Sequence, residues 1–373
     1  MPKILITGGH LTPALAFIDY CHNHKLDFEF VFVGRELAQT KDGQPAWEKA
    51  EIAARKIKFI NFAAAKTGDF DWRTFRRSLK IAKDILIIEK IDLVLSFGGY
   101  LALPFALAAA PLKIPVITHE QTRVLGKANR AIGLVARAIA VSFPETTFWQ
   151  RQKIVVTGNP LRQAIFAEQK SPPTWFKAAA EKKLPWLYIA GGSQGAQAIN
   201  QAILPILPWL TKKFIVIHQV GRASAARQPL KEIQDYLAHP ANKAAINLEH
   251  YYPREFLSAN ELSYFYPRFS LAISRAGANT VGELSAFAIP TLYIPLPFAN
   301  YHEQEKNAAR LVEKEMALML KQENLQASSL VFAIQNLLTH MPAIRKNLTA
   351  QSLNNDEAAA KLAQLVRQNL LRL

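Results

Sequence analysis

The sequence predicts an α/β protein of two domains, each a parallel sheet covered by helices on both faces. Three observations predict it. Short, continuous apolar runs recur along the 373 residues, most of them followed by a glycine turn and a helical pattern. Strands buried on both faces read in this way. The rhythm breaks near the middle and restarts with the same strand–glycine–helix opening. The length also suits two domains at about 150 residues each.

In the first half, Lys3–Ile6 runs into Gly8-Gly9, Phe28–Val33 into Gly34, and Leu93–Phe97 into Gly98-Gly99. Val116–Thr118 follows Pro115, and Ala138–Val141 and Ile154–Thr157 close the half. Residues Gln169 to Lys183 carry Pro172-Pro173 and end in a lysine and glutamate cluster, so they read as a link. In the second half, Trp186–Ala190 precedes Gly191-Gly192-Ser193-Gln194-Gly195, and Phe214–His218 precedes Gly221. Ala244–Leu248 reads as a strand leading to Tyr251-Tyr252-Pro253, Leu271–Ser274 leads to Gly277, and Thr291–Ile294 leads to Pro295. Ala327 to Leu373 reads as helices with Lys and Arg on their faces. The expected division is a domain over 1–165, a linker over 166–184, a second domain over 185–350 and a terminal helix over 351–373. These are two Rossmann-like domains. Open sheets of this kind bind ligands beyond the carboxyl ends of their strands, and two such edges facing each other make a cleft.

Composition narrows the function. Half the residues are hydrophobic and 20% are charged, which allows large cores and excludes a disordered chain. The net charge of +16 points to an anionic partner. A lone cysteine, Cys21, permits no intrachain disulfide and fits a reducing compartment. The opening apolar run is too short for a secretory leader. Leu101 to Leu112, broken by Pro104 and Pro111, falls short of the roughly 20 residues a membrane span needs. Membrane contact is therefore expected to be peripheral. No nucleic-acid recognition motif is present, so no nucleic-acid partner is expected.

Several stretches carry chemistry. Thr7-Gly8-Gly9-His10 lies between a strand and a helix, where glycines let an anion approach backbone N–H groups and His10 is suited to bind phosphate or act as a base. A tight turn capped by a histidine reads equally well. The spacing is neither G-x-G-x-x-G nor a P-loop. Gly191-Gly192-Ser193-Gln194-Gly195 repeats this geometry, with Asn200 about two turns along the next helix; Ser193 is either a phosphate ligand or an N-cap. In Ser274-Arg275-Ala276-Gly277-Ala278-Asn279-Thr280-Val281-Gly282-Glu283, a helix starting at Gly277 can hold a diphosphate, and Arg275 can neutralise it. Thr280 and Glu283 share a face, and a carboxylate there can accept from ribose hydroxyls. A first-turn glutamate complementing the helix dipole is the competing reading. His119-Glu120-Gln121 and Gly98-Gly99-Tyr100 place polar groups after buried strands. No Cys/His spacing suggests zinc, and G-x-S-x-G is absent. Asp69-Phe70-Asp71 reads as a solvated turn. Trp72 to Lys83 is a basic amphipathic helix with Phe75, Leu79, Ala82 and Leu86 on one stripe, suited to an anionic membrane surface or to packing on the sheet.

Taken together, these stretches resemble the MurG family of N-acetylglucosaminyltransferases. The matches run in order: TGGH-x-x-PALA at 7–16, GGY at 98–100, HEQ at 119–121, NR at 129–130, GNPLR at 158–162, GGSQGAQ-x-x-N at 191–200, HQ-x-G at 218–221, SRAGANTVGE at 274–283 and Q-x-x-NA at 304–308. The resemblance implies a GT-B fold and inverting transfer of N-acetylglucosamine from UDP-GlcNAc to lipid I, an undecaprenyl-diphospho-muramoyl peptide, giving lipid II for peptidoglycan on the cytoplasmic face of the plasma membrane. It places Ser193, Gln194, Gly195, Asn200, Arg275, Gly277, Ala278, Asn279, Thr280, Val281, Gly282, Glu283, Gln304 and Asn307 on the donor side. Glu283 falls on the ribose, Arg162 at the domain junction and Tyr251 near the uracil. Thr7, Gly8, Gly9, His10, Tyr100, His119, Glu120, Thr122 and Asn129 fall on the acceptor side, with His10 or Glu120 as base. Leu5-Ile6 stand where the family has two further glycines, and Thr122 where it has asparagine. No cofactor is implied, and a divalent cation only as a stimulant. A glycosyltransferase with another lipid acceptor, a UDP-sugar 2-epimerase and a catalytically silent UDP-sugar binder are the competing readings.

Overall fold

The computed structural model describes residues 1–36, 47–62, 71–167, 169–192, 195–224, 227–299, 302–350 and 357–371. The chain forms two compact units, Met1–Gln163 with Asn355–Leu373, and Ala164–Asn354.

The first unit runs β1 (Lys3–Thr7), α1 (Leu11–Asn23), β2 (Glu29–Gly34), α2 (Trp47–Ala54), β3 (Lys58–Asn61), α3 (Trp72–Ile88), β4 (Leu93–Ser96), α4 (Ala102–Ala109), β5 (Val116–Glu120), α5 (Lys127–Val135), β6 (Ala138–Val141) and β7 (Ile154–Val156). All seven strands are parallel, in the order β3-β2-β1-β4-β5-β6-β7. Ile4, Leu5 and Ile6 are wholly buried, as both faces of a central parallel strand must be. Leu5-Ile6 thus extend the strand through Thr7, and the glycine turn after it is short. The Asp71 carboxylate accepts the Arg73 and Thr74 backbone N–H groups and starts α3. Asp69 and Phe70 lie outside the described residues.

The second unit runs α6 (Lys177–Ala180), β8 (Trp186–Ala190), α7 (Gln197–Ile203), α8 (Leu207–Lys213), β9 (Ile215–Gln219), α9 (Pro229–Ala238), α10 (Pro240–Ala245), β10 (Tyr251–Arg254), α11 (Ala259–Phe265), β11 (Phe269–Ser274), α12 (Ala278–Ala286), β12 (Thr291–Tyr293), α13 (Glu303–Glu313), β13 (Leu318–Met319) and α14 (Ala327–Ala350). Its six parallel strands are ordered β10-β9-β8-β11-β12-β13.

Three expectations are corrected. The segment 166–184 is not a free linker: Phe176 is completely buried among Trp186, Tyr252 and Phe265 in the second unit's core. Ala244–Leu248 is not a strand; the strand is Tyr251–Arg254, where Pro253 is tolerated because β10 is the sheet edge. The helix expected as a separate terminal element over 351–373, α15 (Glu357–Leu370), belongs to the first unit. There Leu362, Ala363 and Val366 join Phe17, Ile18 and Cys21 in one core. Burial pushes the Cys21 thiol far up, which leaves it inert packing.

Candidate active site

In the first unit the site residues gather at the carboxyl ends of β1, β4 and β5. Gly9 and Gly99 are there because two backbones touch. A Cβ on Gly9 would lie 2.2 Å from the Gly98 carbonyl oxygen, and one on Gly99 would lie 2.8 Å from Gly9 Cα. The two glycine turns are therefore pressed together, with Tyr100 following the second. His10 caps the start of α1 in extended backbone and is solvent-accessible. The surrounding protein holds its pKa below the ordinary histidine value, and the Glu120 carboxylate opposes that. The imidazole is thereby biased towards the neutral form that accepts a proton.

Glu120 ends β5 and is buried. Its Oε1 accepts from the Thr122 backbone N–H at 3.0 Å and lies 2.8 Å from the Thr122 hydroxyl. Its Oε2 accepts from the Gly126 N–H and from Asn129 Nδ2, each at 2.9 Å. A carboxylate has about four acceptor sites, and these donors match them. Glu120 is a brace that folds the 120–129 loop. Asn129 is used as fully: its Oδ1 accepts from Thr118 at 2.6 Å, and its amide also donates to the His119 carbonyl at 3.2 Å. The Thr122 hydroxyl also lies 2.8 Å from the Val124 carbonyl. His119 is buried, its Nε2 2.9 Å from the Gly158 carbonyl, and burial lowers its pKa to about 4. Buried Thr7 Oγ1 and His119 Nδ1 have no hydrogen-bond partner. Of this set, His10 is the group open for proton transfer.

In the second unit two loops lie side by side after β8 and β11. The Arg275 backbone N–H and the Ser274 hydroxyl both donate to the Ala190 carbonyl. Gly191 and Gly195 are packed against backbone: their Cβ atoms would lie 2.1 Å from Ala196 N and from the Val220 carbonyl oxygen, respectively. Gly192 and Gly277 differ, because a Cβ on either would meet nothing within 4 Å. At Gly277, whose φ of −65° suits any residue, the missing side chain leaves space and nothing else. That space fronts the N-terminus of α12, where Ala278, Asn279 and Thr280 form the first turn. Val281 and Glu283 turn inward, and Gly282 is half-buried. Ser193 and Gln194 lie outside the described residues.

The buried polar residues around this cradle shape it. Glu283 Oε2 accepts from the Tyr266 hydroxyl at 2.9 Å. Arg275 donates to the Ile294 and Pro295 carbonyls at 2.9 and 3.0 Å and to Gln322 Oε1 at 2.6 Å. Burial lowers its pKa to about 10, so it is charged at neutral pH. Its side-chain donors brace the 294–295 turn and Gln322. Gln304 Oε1 accepts the Leu296 N–H at 3.0 Å, and Asn307 donates to the Ala276 carbonyl at 3.1 Å while its own buried Oδ1 has no partner. Asn200 does not face solvent: it donates to the Val220 carbonyl at 2.9 Å, and its Oδ1 is 3.1 Å from His218 Nε2. His218 Nδ1 in turn is 2.8 Å from the Tyr251 hydroxyl. Arg162 is half-buried in the coil at the end of the first unit.

Two residues escaped the sequence reading. Gln219 donates to the Gly192 carbonyl at 3.1 Å and accepts from the Leu257 N–H at 3.2 Å, fixing the glycine turn from below. Its place inside HQ-x-G was the available signal. Arg35 follows Gly34 at the end of β2 and stacks on the Tyr100 ring at 4.4 Å; a cation directly after a strand-ending glycine was the signal.

The comparisons agree with this layout. The glycosyltransferase family 28 N-terminal domain matches residues 7–141, and the family's C-terminal domain matches 186–366. A UDP-N-acetylglucosamine–N-acetylmuramyl-(pentapeptide) pyrophosphoryl-undecaprenol N-acetylglucosamine transferase of Listeria welshimeri is 31% identical, covering 96% of both chains. The chain belongs to glycosyltransferase family 28. Among solved structures, Acinetobacter baumannii MurG has a TM-score of 0.74 at 24% identity, covering 99% of this chain and 100% of that one. A Neisseria meningitidis UDP-GlcNAc 2-epimerase bound to UDP-GlcNAc has a TM-score of 0.64 at 14% identity over all of both chains. The fold of this family-28 glycosyltransferase is thus GT-B, and fold alone does not separate transfer from epimerisation.

On the first unit, α3 buries Ser78, Ala82 and Leu86. Its other side exposes Trp72 (58%), Ile87 (54%) and Ile88 (73%) among exposed Arg73, Arg76, Arg77, Lys80 and Lys83. No helix among the described residues is long and apolar enough to cross a membrane.

Proposed function

We propose that this glycosyltransferase moves N-acetylglucosamine from UDP-GlcNAc to the 4-hydroxyl of the muramoyl sugar of lipid I, forming lipid II for peptidoglycan. The observation that carries the reading is the pairing of two different devices in one chain. The first unit holds a histidine biased towards its neutral form, and the second holds an open, glycine-fronted helix N-terminus. An acceptor hydroxyl needs the first and a departing nucleotide diphosphate needs the second. The relative's name supplies the two substrates.

In the step itself, the acceptor hydroxyl gives its proton to His10, and its oxygen forms a bond to the anomeric carbon of the donor sugar. The bond from that carbon to the diphosphate oxygen breaks, UDP leaves as the anion, and the configuration inverts. The α12 N-terminus and the Arg275 charge stabilise the negative charge at departure. Glu120 keeps the 120–129 loop in place and raises the basicity of His10 through space. The ribose hydroxyls are read by Glu283, oriented by Tyr266, and Arg162, Gln304, Tyr251, Ser193, Gln194 and Gly195 complete the donor contacts. The step is assigned no cofactor. The exposed isoleucines and cations of α3 hold the protein peripherally on the anionic cytoplasmic face of the plasma membrane, where its lipid acceptor resides.

The test is transfer of labelled GlcNAc from UDP-GlcNAc to lipid I in detergent, with His10→Ala alongside. Labelled lipid II from the native chain, lost in the variant, is expected. UDP-GlcNAc binding with no labelled product overturns the lipid I assignment. Conversion of UDP-GlcNAc without acceptor marks an epimerase instead. Turnover that persists in excess EDTA is expected.

A further inference from the structure

We propose that Arg35 is an anion ligand of the first glycine turn and binds the acceptor's diphosphate; this rests on the reading that the acceptor is a polyprenyl-diphosphate sugar. The first glycine turn is short of free donors. β1 runs through Thr7, so Leu5 and Ile6 are committed to the ladder opposite Val31 and Phe32 on one side and Val94 and Leu95 on the other. The Gly8 N–H continues that pattern and donates to the Val33 carbonyl at 2.6 Å. The sheet thus takes the donors that a longer glycine loop would turn towards a ligand, leaving the short Gly9–His10 stretch ahead of α1. A diphosphate diester is a dianion, and a turn this short needs a cation beside it.

Arg35 stands where that cation is needed. The parallel register pairs Thr7 with Val33, and the Gly8 N–H donates to the Val33 carbonyl, two residues before Arg35. The guanidinium carbon lies 4.4 Å from the Tyr100 ring centroid, and Tyr100 follows the Gly98-Gly99 turn that presses on Gly9. Stacking uses the face of the guanidinium and leaves its N–H edge for the bidentate geometry that phosphate oxygens accept. Glu48 is the neighbouring carboxylate: its Oε2 accepts the Arg35 backbone N–H at 3.2 Å and it abuts Gly8 and Gly34. Burial raises the Glu48 pKa, against the opposing pull of the Arg35 backbone N–H and charge. Burial also lowers Arg35 despite Glu48, so the cation is incompletely compensated by its surroundings.

The experiment uses the full chain in detergent with Arg35→Ala and Arg35→Lys. Acceptor KM, donor KM and kcat are measured with lipid I, and equilibrium binding of farnesyl diphosphate is measured separately without turnover. Arg35→Ala is expected to raise acceptor KM and weaken farnesyl diphosphate binding by about 10–100-fold, the range of a lost charged hydrogen-bonding group. Donor KM and the melting temperature stay at the native values. Arg35→Lys restores part of the loss, because charge returns without the planar fork. Unchanged acceptor KM and diphosphate binding in Arg35→Ala overturn the assignment. Equal losses for donor and acceptor overturn it too, since they mark a prop for Tyr100. If the native chain fails on lipid I yet binds farnesyl diphosphate through Arg35, the reaction assignment fails and the anion site stands.

Discussion

Replacing Glu120 by glutamine separates a brace from a base. The carboxylate accepts from the Thr122 and Gly126 N–H groups, from the Asn129 amide and at 2.8 Å from the Thr122 hydroxyl. Glutamine keeps the shape but turns one acceptor oxygen into an NH2. Placed at either oxygen position, that NH2 faces donors: Thr122 N–H on one side, or Gly126 N–H and Asn129 on the other. The cost is about 2–4 kcal/mol, from unsatisfied buried donors and the lost charge assistance. For a unit of this size that lowers Tm by about 4–16 °C. Thermal unfolding of the full chain, followed by circular dichroism, measures it. Activity falls in parallel, because the 120–129 loop carries Asn129 and adjoins the Gly98 turn. The pH dependence of the remaining activity keeps its native shape, since the proton acceptor proposed above is His10. A Glu120→Gln chain that melts at the native temperature but has lost kcat by a thousandfold would refute this reasoning and make Glu120 the base.

Other outcomes follow from the same geometry. Gly277→Ala meets no atom within 4 Å, so it folds normally but fills the donor cradle; UDP-GlcNAc KM rises at least about tenfold while Tm stays within a few degrees. Gly195→Ala is the contrast: its φ is +75° and its Cβ would lie 2.1 Å from the Val220 carbonyl, so it loses several kcal/mol of stability, about 3 or more, by denaturant titration. Stability falls on acidification. His119 protonates near 6.5 when unfolded and near 4 when folded, so between those values the unfolded chain binds more protons, and about 3 kcal/mol is lost as pH drops through that window. Burial lowers the His218 pKa to about 3 and adds a loss of the same sign in the second unit; Tm measured from pH 7 to 4 checks both. On α3, Arg76→Ala and Lys80→Ala each weaken binding to anionic vesicles about fivefold in sedimentation, roughly 1 kcal/mol apiece, with Tm unchanged because both side chains are exposed.

The sheets were legible because parallel strands announce themselves as uninterrupted apolar runs ending in glycine. Lys3–Ile6 and Trp186–Ala190 correspond to β1 and β8 within a residue. Of the sheet edges, β7 was read and the others were not. β3 (Lys58–Asn61) has exposed lysine and asparagine at its ends and no fully buried residue, and β13 is two residues long. β10 holds a proline that argues against a strand anywhere but an edge. Nor can periodicity reveal that α15 crosses back to the first unit, since an amphipathic helix specifies a buried face but not which core buries it.

The site divides in the same way. The glycine motifs could be read, but the reason for each glycine could not. Gly9, Gly99, Gly191 and Gly195 are close approaches of one backbone to another, Gly192 has a φ of +86° that favours glycine, and Gly277 leaves open space. These classes look identical in sequence. Polar residues show the converse. Glu120, Asn129, Asn200 and Arg275 are chemically competent side chains, and each is occupied by neighbours that it holds in place. Their hydrogen bonds make them part of the frame around each glycine turn. Beside them stand an accessible histidine at the start of α1, two glycine positions with open space and an arginine over a tyrosine ring. A motif therefore locates the chemistry, and the donor and acceptor inventory of its members decides which of them perform it.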